Sequence, residues 1–167
     1  MKRNLFLYLA LACFISLIAI FVFDGYMGIY DTLHITTGEY EQTVEPDHWD
    51  RYVGYKPSVE TAWGDKVFFS YEVDNRRFSS YVTPIQASVW KEDEKVIDLF
   101  SEEKSIEPFD EVKVEWTLTS QELEKAGWGI DDYTVKISHG DVERKIIVGF
   151  HSPEESGYPK PVPSPPR

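Results

Sequence analysis

The chain has a single cysteine, Cys13, and it lies inside a long apolar run, so everything beyond that run is without a thiol. A disulfide framework, a thiolate metal site and a cysteine nucleophile are therefore excluded there. No Asn-x-Ser/Thr acceptor occurs: Asn4 is followed by Leu-Phe and Asn75 by Arg-Arg. A cysteine-free, unglycosylated ectodomain fits a prokaryotic cell surface better than a eukaryotic secretory route. Positive charge is also scarce. Net charge is −12, and because Lys2 and Arg3 are the only charges before Asp24, the remainder carries −14. Such a domain repels phosphate backbones, which argues against nucleic-acid binding.

Catalytic signatures are missing as well. There is no Gly-x-Ser-x-Gly, no phosphate-cradling glycine loop, and no pair of histidines at i, i+4 among His34, His48, His139 and His151. His48, within Asp47-His48-Trp49-Asp50, reads as a solvated loop histidine. Calcium sites can be drawn on paper from Asp131-Asp132 with Asp141, or from Asp74-Asn75 with Asp65. Neither has EF-hand spacing, and runs of acids are usually solvated faces. No metal ligand, cofactor or catalytic residue is assigned, and the chain reads as a non-enzyme.

What is present begins with Asn4 to Phe23, which holds no charge, no proline and no glycine. Twenty helical residues span about 30 Å, the thickness of a bilayer's hydrocarbon core. The run is longer than a signal-peptide core, and bulky residues occupy its exit where a cleavage site needs small ones. Cys13 lacks the preceding triplet of a lipoprotein signal. An uncleaved anchor in contact with the lipid bilayer through residues 4–23 is the expectation. Lys2 and Arg3 favour a cytoplasmic N-terminus and an extracytoplasmic C-terminal domain. The organisation expected is an anchor over 1–25, a juxtamembrane segment over 26–32, a β domain over 33–150 and a proline-rich tail over 151–167.

Beyond the anchor, alternation dominates. Lys66 to Val73 puts Val67, Phe69, Tyr71 and Val73 on one face. Glu111 to Leu118 does the same with Val112, Val114, Trp116 and Leu118, as do Asp132 to Ser138 and Val142 to Phe150 around a turn at His139-Gly140-Asp141. Leu33 to Thr37, Tyr40 to Val44, Tyr81 to Trp90 and Lys95 to Phe100 are further strands. Pro84 marks a bulge or unpaired position. Glu45 to Pro57 and Glu102 to Pro108 read as connections. Thr119-Ser120-Gln121-Glu122 is a capping box opening a short helix that Gly127 ends. The fold class expected is mainly β, an antiparallel β-sandwich of about seven strands behind one N-terminal transmembrane helix.

Gly129 to Ile137 resembles the penultimate strand of immunoglobulin-like and fibronectin type III-like domains, where a tyrosine following a glycine or acidic turn forms a tyrosine corner. The resemblance covers Leu33 to Phe150 and implies an immunoglobulin-like fold, not an activity. The inter-sheet cysteine pair of antibody domains is absent, and Val135 stands where one cysteine would be.

Loop aromatics are the candidate contacts for a protein or carbohydrate partner: Trp49, Tyr52, Tyr55, Trp63 and Trp128. The competing explanation is that these rings close the ends of the sandwich. The function expected is a membrane-anchored binding or accessory module. The alternatives are a surface carbohydrate hydrolase with paired carboxylates and a structural spacer.

Overall fold

The computed structural model describes residues 2–26, 28–38, 40–44 and 57–152. In the first helix, α1 (Lys2–Tyr26), the side chains described are those of residues 8, 10–20 and 22. Trp49, Tyr52, Tyr55 and His48 lie outside the described residues, as does most of the proline-rich tail. Over the described part of α1, Leu11, Phe14, Ile15, Leu17, Ile18, Ile20 and Val22 are all about half exposed. Counting only described residues, no helix is long and apolar enough to cross a membrane.

Nine strands follow: β1 (Ile29–Thr37), β2 (Tyr40–Val44), β3 (Ser58–Ala62), β4 (Lys66–Asn75), β5 (Tyr81–Lys91), β6 (Glu94–Ile106), β7 (Asp110–Thr119), β8 (Asp132–His139) and β9 (Val142–His151). They form a four-stranded sheet in the order β2-β1-β4-β7 and a five-stranded sheet in the order β3-β9-β8-β5-β6. All neighbours are antiparallel except β3, which runs parallel to β9. The expectation of a mainly β, two-sheet chain holds, with nine strands among the described residues rather than about seven.

Alternation builds the core directly. Leu33 and Ile35 of β1, Val67, Phe69, Tyr71 and Val73 of β4, and Val114, Trp116 and Leu118 of β7 face Ile85, Ala87 and Val89 of β5, Tyr133, Val135 and Ile137 of β8, and Ile146, Val148 and Phe150 of β9. Each of the larger aliphatic and phenylalanine side chains so buried contributes on the order of 1.5–3 kcal/mol. Trp116 stacks between Phe69 and Phe100, with ring centroids 5.6 and 5.9 Å away, and so ties β4, β7 and β6 together across the sheets.

Three local expectations change. β6 runs on to Ile106, through residues that read as a connection. Pro84 is paired in register with Glu103, and the bulges fall instead in β6, where Leu99 and Val96 are passed over opposite the steps Ala87–Ser88 and Val89–Trp90. Proline is tolerated at its position because β8 pairs with β5 only from Ile85 onward, so no ladder bond is lost on that side. β3 was not expected at all. The short helix α2 (Ser120–Lys125) does form. Thr119 Oγ1 accepts from Glu122 N, and the Glu122 carboxylate accepts from Thr119 N at 2.9 Å. It ends as a Schellman turn, with Gly127 N donating to Glu124 O and Trp128 N to Leu123 O, both at 2.9 Å.

A polar group binds the two sheets where β1 begins and β8 turns into β9. Asp31, 3% exposed, accepts from Arg144 Nε at 2.8 Å, from Arg144 Nη2 at 2.7 Å and from Tyr71 Oη at 2.8 Å. His139, 1% exposed, faces Tyr71 and meets Tyr81 Oη through Nδ1 at 3.1 Å. Burial, aided by the Arg144 charge and opposed by that of Asp31, holds its imidazole below the ordinary histidine value. Gly140 makes the adjoining turn at φ +53°, and its N–H donates to Thr83 Oγ1 at 2.6 Å.

Asp31→Ala removes the carboxylate that the largely covered Arg144 guanidinium grips and is expected to cost about 3 kcal/mol, most of it recovered in the Asp31→Ala/Arg144→Met pair. Urea unfolding followed by tryptophan fluorescence checks both. His139 is held neutral in the fold and binds a proton in the unfolded chain near its ordinary value of 6.5. The unfolded state therefore carries more protons just below that value, and stability falls as pH drops from 6.5 toward the depressed folded value. His139→Gln is expected to flatten that part of the stability–pH curve.

Candidate functional site

The residues expected to make contacts separate on the fold. Trp63 and Trp128 sit at the end of the sandwich away from Asp31, and both are half-buried against the core. The Trp63 ring meets the Phe150 ring edge-on at 5.6 Å, and its Nε1 donates to Glu124 at 3.1 Å. Trp128 is fixed by the Schellman turn of α2. These two rings therefore close one end of the core, and only the rim of Trp128, beside Lys91 to Glu94, borders an open recess.

The acidic pairings do not assemble. Asp131 and Asp132 open β8, whereas Asp141 follows its far end, about 26 Å away for eight extended residues. Asp65 and Asp74 likewise stand at opposite ends of β4. The local charges are engaged elsewhere: Lys91 pairs with Asp131 and, with the backbone N–H of Asp132, holds that carboxyl below the usual carboxylate range.

A recess of about 570 Å³ lies on the outer face of the four-stranded sheet. Strand register builds it. Glu41, Thr36, Phe68 and Thr117 form one row across β2, β1, β4 and β7, and Thr43, His34, Ser70 and Glu115 form the next. Phe68 is 49% exposed at the centre of this polar surface. His34 Nδ1 lies 3.0 Å from Thr43 Oγ1, and Lys113 lies 2.8 Å from Glu115, whose hydrogen bond pushes the lysine's pKa up. The arrangement offers an aromatic face ringed by hydroxyl, imidazole and charged groups, which suits a flat ligand with polar edges. Its lining carboxylates Glu41 and Glu115 stand three strand spacings apart, about 14 Å or more. The sequence signal for this recess was an aromatic at an outward position of an alternating strand.

A second group is assembled by register alone. Glu60 of β3 and Asp132 of β8 both lie opposite Gly149 of β9, and His151 follows two residues along the same face. Their ligand atoms lie within 4.8 Å of one another, and His151 Nε2 contacts Glu60 Oε2. One imidazole and two carboxylates are donors of the kind that hold zinc or manganese. Gly149 leaves room for them, since a Cβ there would overlap Glu60 Oε2 and stand 2.8 Å from Asp132 Oδ1 and 3.0 Å from His151 Nε2.

No protein-family model and no curated protein matches the chain. Among solved structures, it is similar to a beta-glucosidase from Listeria innocua in complex with glucose, at TM-score 0.43 and 13% identity, over 74% of this chain and 17% of that one. The same enzyme in complex with gluconolactone gives TM-score 0.40 at 13% identity, over 72% and 16% of the respective chains. The chain thus spans about a sixth of the length of those proteins, and overlap this loose carries no argument about activity.

Phe68→Ala is expected to change stability by less than about 0.5 kcal/mol, as for other surface positions, whereas Trp63→Ala is expected to cost roughly 2 kcal/mol or more. Gly149→Ala should cost under about 1 kcal/mol, because only flexible carboxylate and imidazole ends must swing aside. Chemical denaturation of the three variants measures all of this.

Proposed function

We propose that the chain is a single-pass membrane protein, with its N-terminus cytoplasmic and an immunoglobulin-like sandwich outside, acting as a binding or accessory module rather than a catalyst. The observation that carries the reading is α1. An unbroken helix whose described apolar side chains point outward on every side has no reason to exist in water. Together with the uncharged sequence from Asn4 to Phe23, it suits a bilayer. Support for the immunoglobulin-like reading comes from the strand order, the parallel edge strand β3 beside β9, and the Tyr133 hydroxyl, which donates to Gly129 O four residues back as in a tyrosine corner. The Phe68 recess is the ligand face in this proposal, for a carbohydrate or a protein loop. The net negative charge disfavours nucleic acid.

Two experiments test the reading. In intact cells whose outer barrier, if any, has been opened, external protease should remove a C-terminal epitope tag. A tag that survives until the cytoplasmic membrane is breached overturns the orientation, and a chain released by alkaline carbonate overturns the anchor. Glycan and surface-protein screens with wild type and Phe68→Ala then test the recess. Ligand capture lost in the variant, with unchanged unfolding, supports a binding face, and capture equal in both removes it.

A further inference from the structure

The end of the sandwich joined to α1 carries an exposed aromatic pair. Phe78, in the β4–β5 loop, and Phe109, in the β6–β7 loop, are 48% and 54% exposed and meet edge to face at 4.8 Å. Phe109 holds a left-handed backbone, φ +60°, which a bulky residue rarely adopts, and its N–H donates to Asn75 O at 2.8 Å. Asn75 is fully buried and gathers both loops, donating to the carbonyls of Ser79, Ile106 and Glu107 at 2.9 to 3.1 Å. A built scaffold therefore presents two phenylalanine rings to the outside. Val82, 59% exposed, stands at the same end.

These loops lie beside the point where the chain leaves α1. Arg76 N donates to Gly28 O at 3.3 Å, and the Arg76 guanidinium covers the Tyr30 ring at 4.5 Å. From Tyr26 to Ile29 there are three Cα steps, at most about 11 Å. If Asn4 to Phe23 fills the hydrocarbon core, the last helical residues from Asp24 to Tyr26 rise about 4.5 Å further. That is within a headgroup layer of roughly 5–7 Å on each side. The sandwich then starts at the headgroup surface, with no linker to hold it away.

Charge at this end is mixed. Arg76 and Arg77 are adjacent and Asp74 pairs with Arg76 at 2.6 Å, whereas Glu107, accepting from Ser80 Oγ at 3.0 Å, and Asp110, accepting from Glu111 N at 2.9 Å, keep their charge. Glu72, with Asp74 and Asp110, pushes the Glu111 carboxyl above its ordinary value. What sets this end apart is therefore its apolar rings and its short distance from α1. We propose that Phe78 and Phe109 dip into the lipid headgroup–acyl boundary, so that the sandwich stands end-on upon the bilayer that α1 crosses. This rests on the membrane reading above. The partner is the lipid surface itself, entered by apolar contact, so zwitterionic phosphatidylcholine suffices.

The test uses the full chain with Cys13→Ala, bearing one polarity-sensitive dye on Phe109→Cys or Phe78→Cys and reconstituted in phosphatidylcholine vesicles. Val82→Cys, on an exposed strand position, serves where a loop variant does not fold, and Asp93→Cys in the β5–β6 turn marks the far end. The expected result is blue-shifted emission at 109, 78 and 82, quenched by lipids carrying a nitroxide near the headgroup, and neither change at 93. A chain that floats with the vesicles while the dye at 109 behaves like the dye at 93 overturns the docking and leaves the anchor standing. A chain that does not float with the vesicles overturns the anchor, and the docking falls with it.

Discussion

One carboxylate decides how the two sheets meet. Asp31 is almost wholly withdrawn from water, and an unpaired charge there would be untenable. Its oxygens are satisfied by a forked guanidinium from the opposite sheet and by a tyrosine hydroxyl from the neighbouring strand. Apolar packing alone tolerates a sliding fit between sheets, but a two-point bridge between Arg144 and Asp31 does not. It sets β9 of one sheet against β1 of the other at a single position. Burial of Tyr71 beside that carboxylate pushes its phenol far above the ordinary range, so it remains a donor at every working pH.

Strands with two well-separated faces were legible in the sequence, because period-two alternation over eight or more residues has few other solutions. β4, β7 and the β8–β9 hairpin are of this kind. β6 is an edge strand, open to solvent on one side, so its alternation decays into polar residues such as Ser101 to Glu103, and its length could not be read. β3 is five residues with two buried positions, Val59 and Thr61, and exists because β9 offers it a parallel edge. Nothing local in Ser58–Ala62 announces that pairing.

The sites were less legible than the strands for a related reason. Trp63 and Trp128 stood out as aromatics near strand ends, yet their rings close the core, a distinction that composition cannot make. Glu60 and His151 are 91 residues apart and meet because β3 pairs with β9 in the register that sets Glu60 opposite Gly149, two residues before His151. Phe68 was visible as an outward aromatic, but its setting of His34, Thr36 and Glu115 depends on the order β2-β1-β4-β7, and strand order is not a local property. Asp31 falls within the segment expected to be juxtamembrane, 26–32, and is the most buried acid among the described residues.

The placement of these features along the molecule constrains what the recess can reach. Strands of ten residues are about 33 Å long, and the Phe68 row lies toward the end of β4 that is remote from Asn75. If the Asn75 end rests on lipid, the recess faces sideways, some 20 Å or more above the headgroups by the same rise per residue. A ligand held there lies parallel to the membrane rather than in it. That geometry favours a neighbouring surface polymer or a protein standing on the same membrane over a lipid or a small amphiphile. The acidic flanks repel anionic lipid over the body of the domain, while the exposed Phe78–Phe109 pair gives the end nearest α1 its apolar contact.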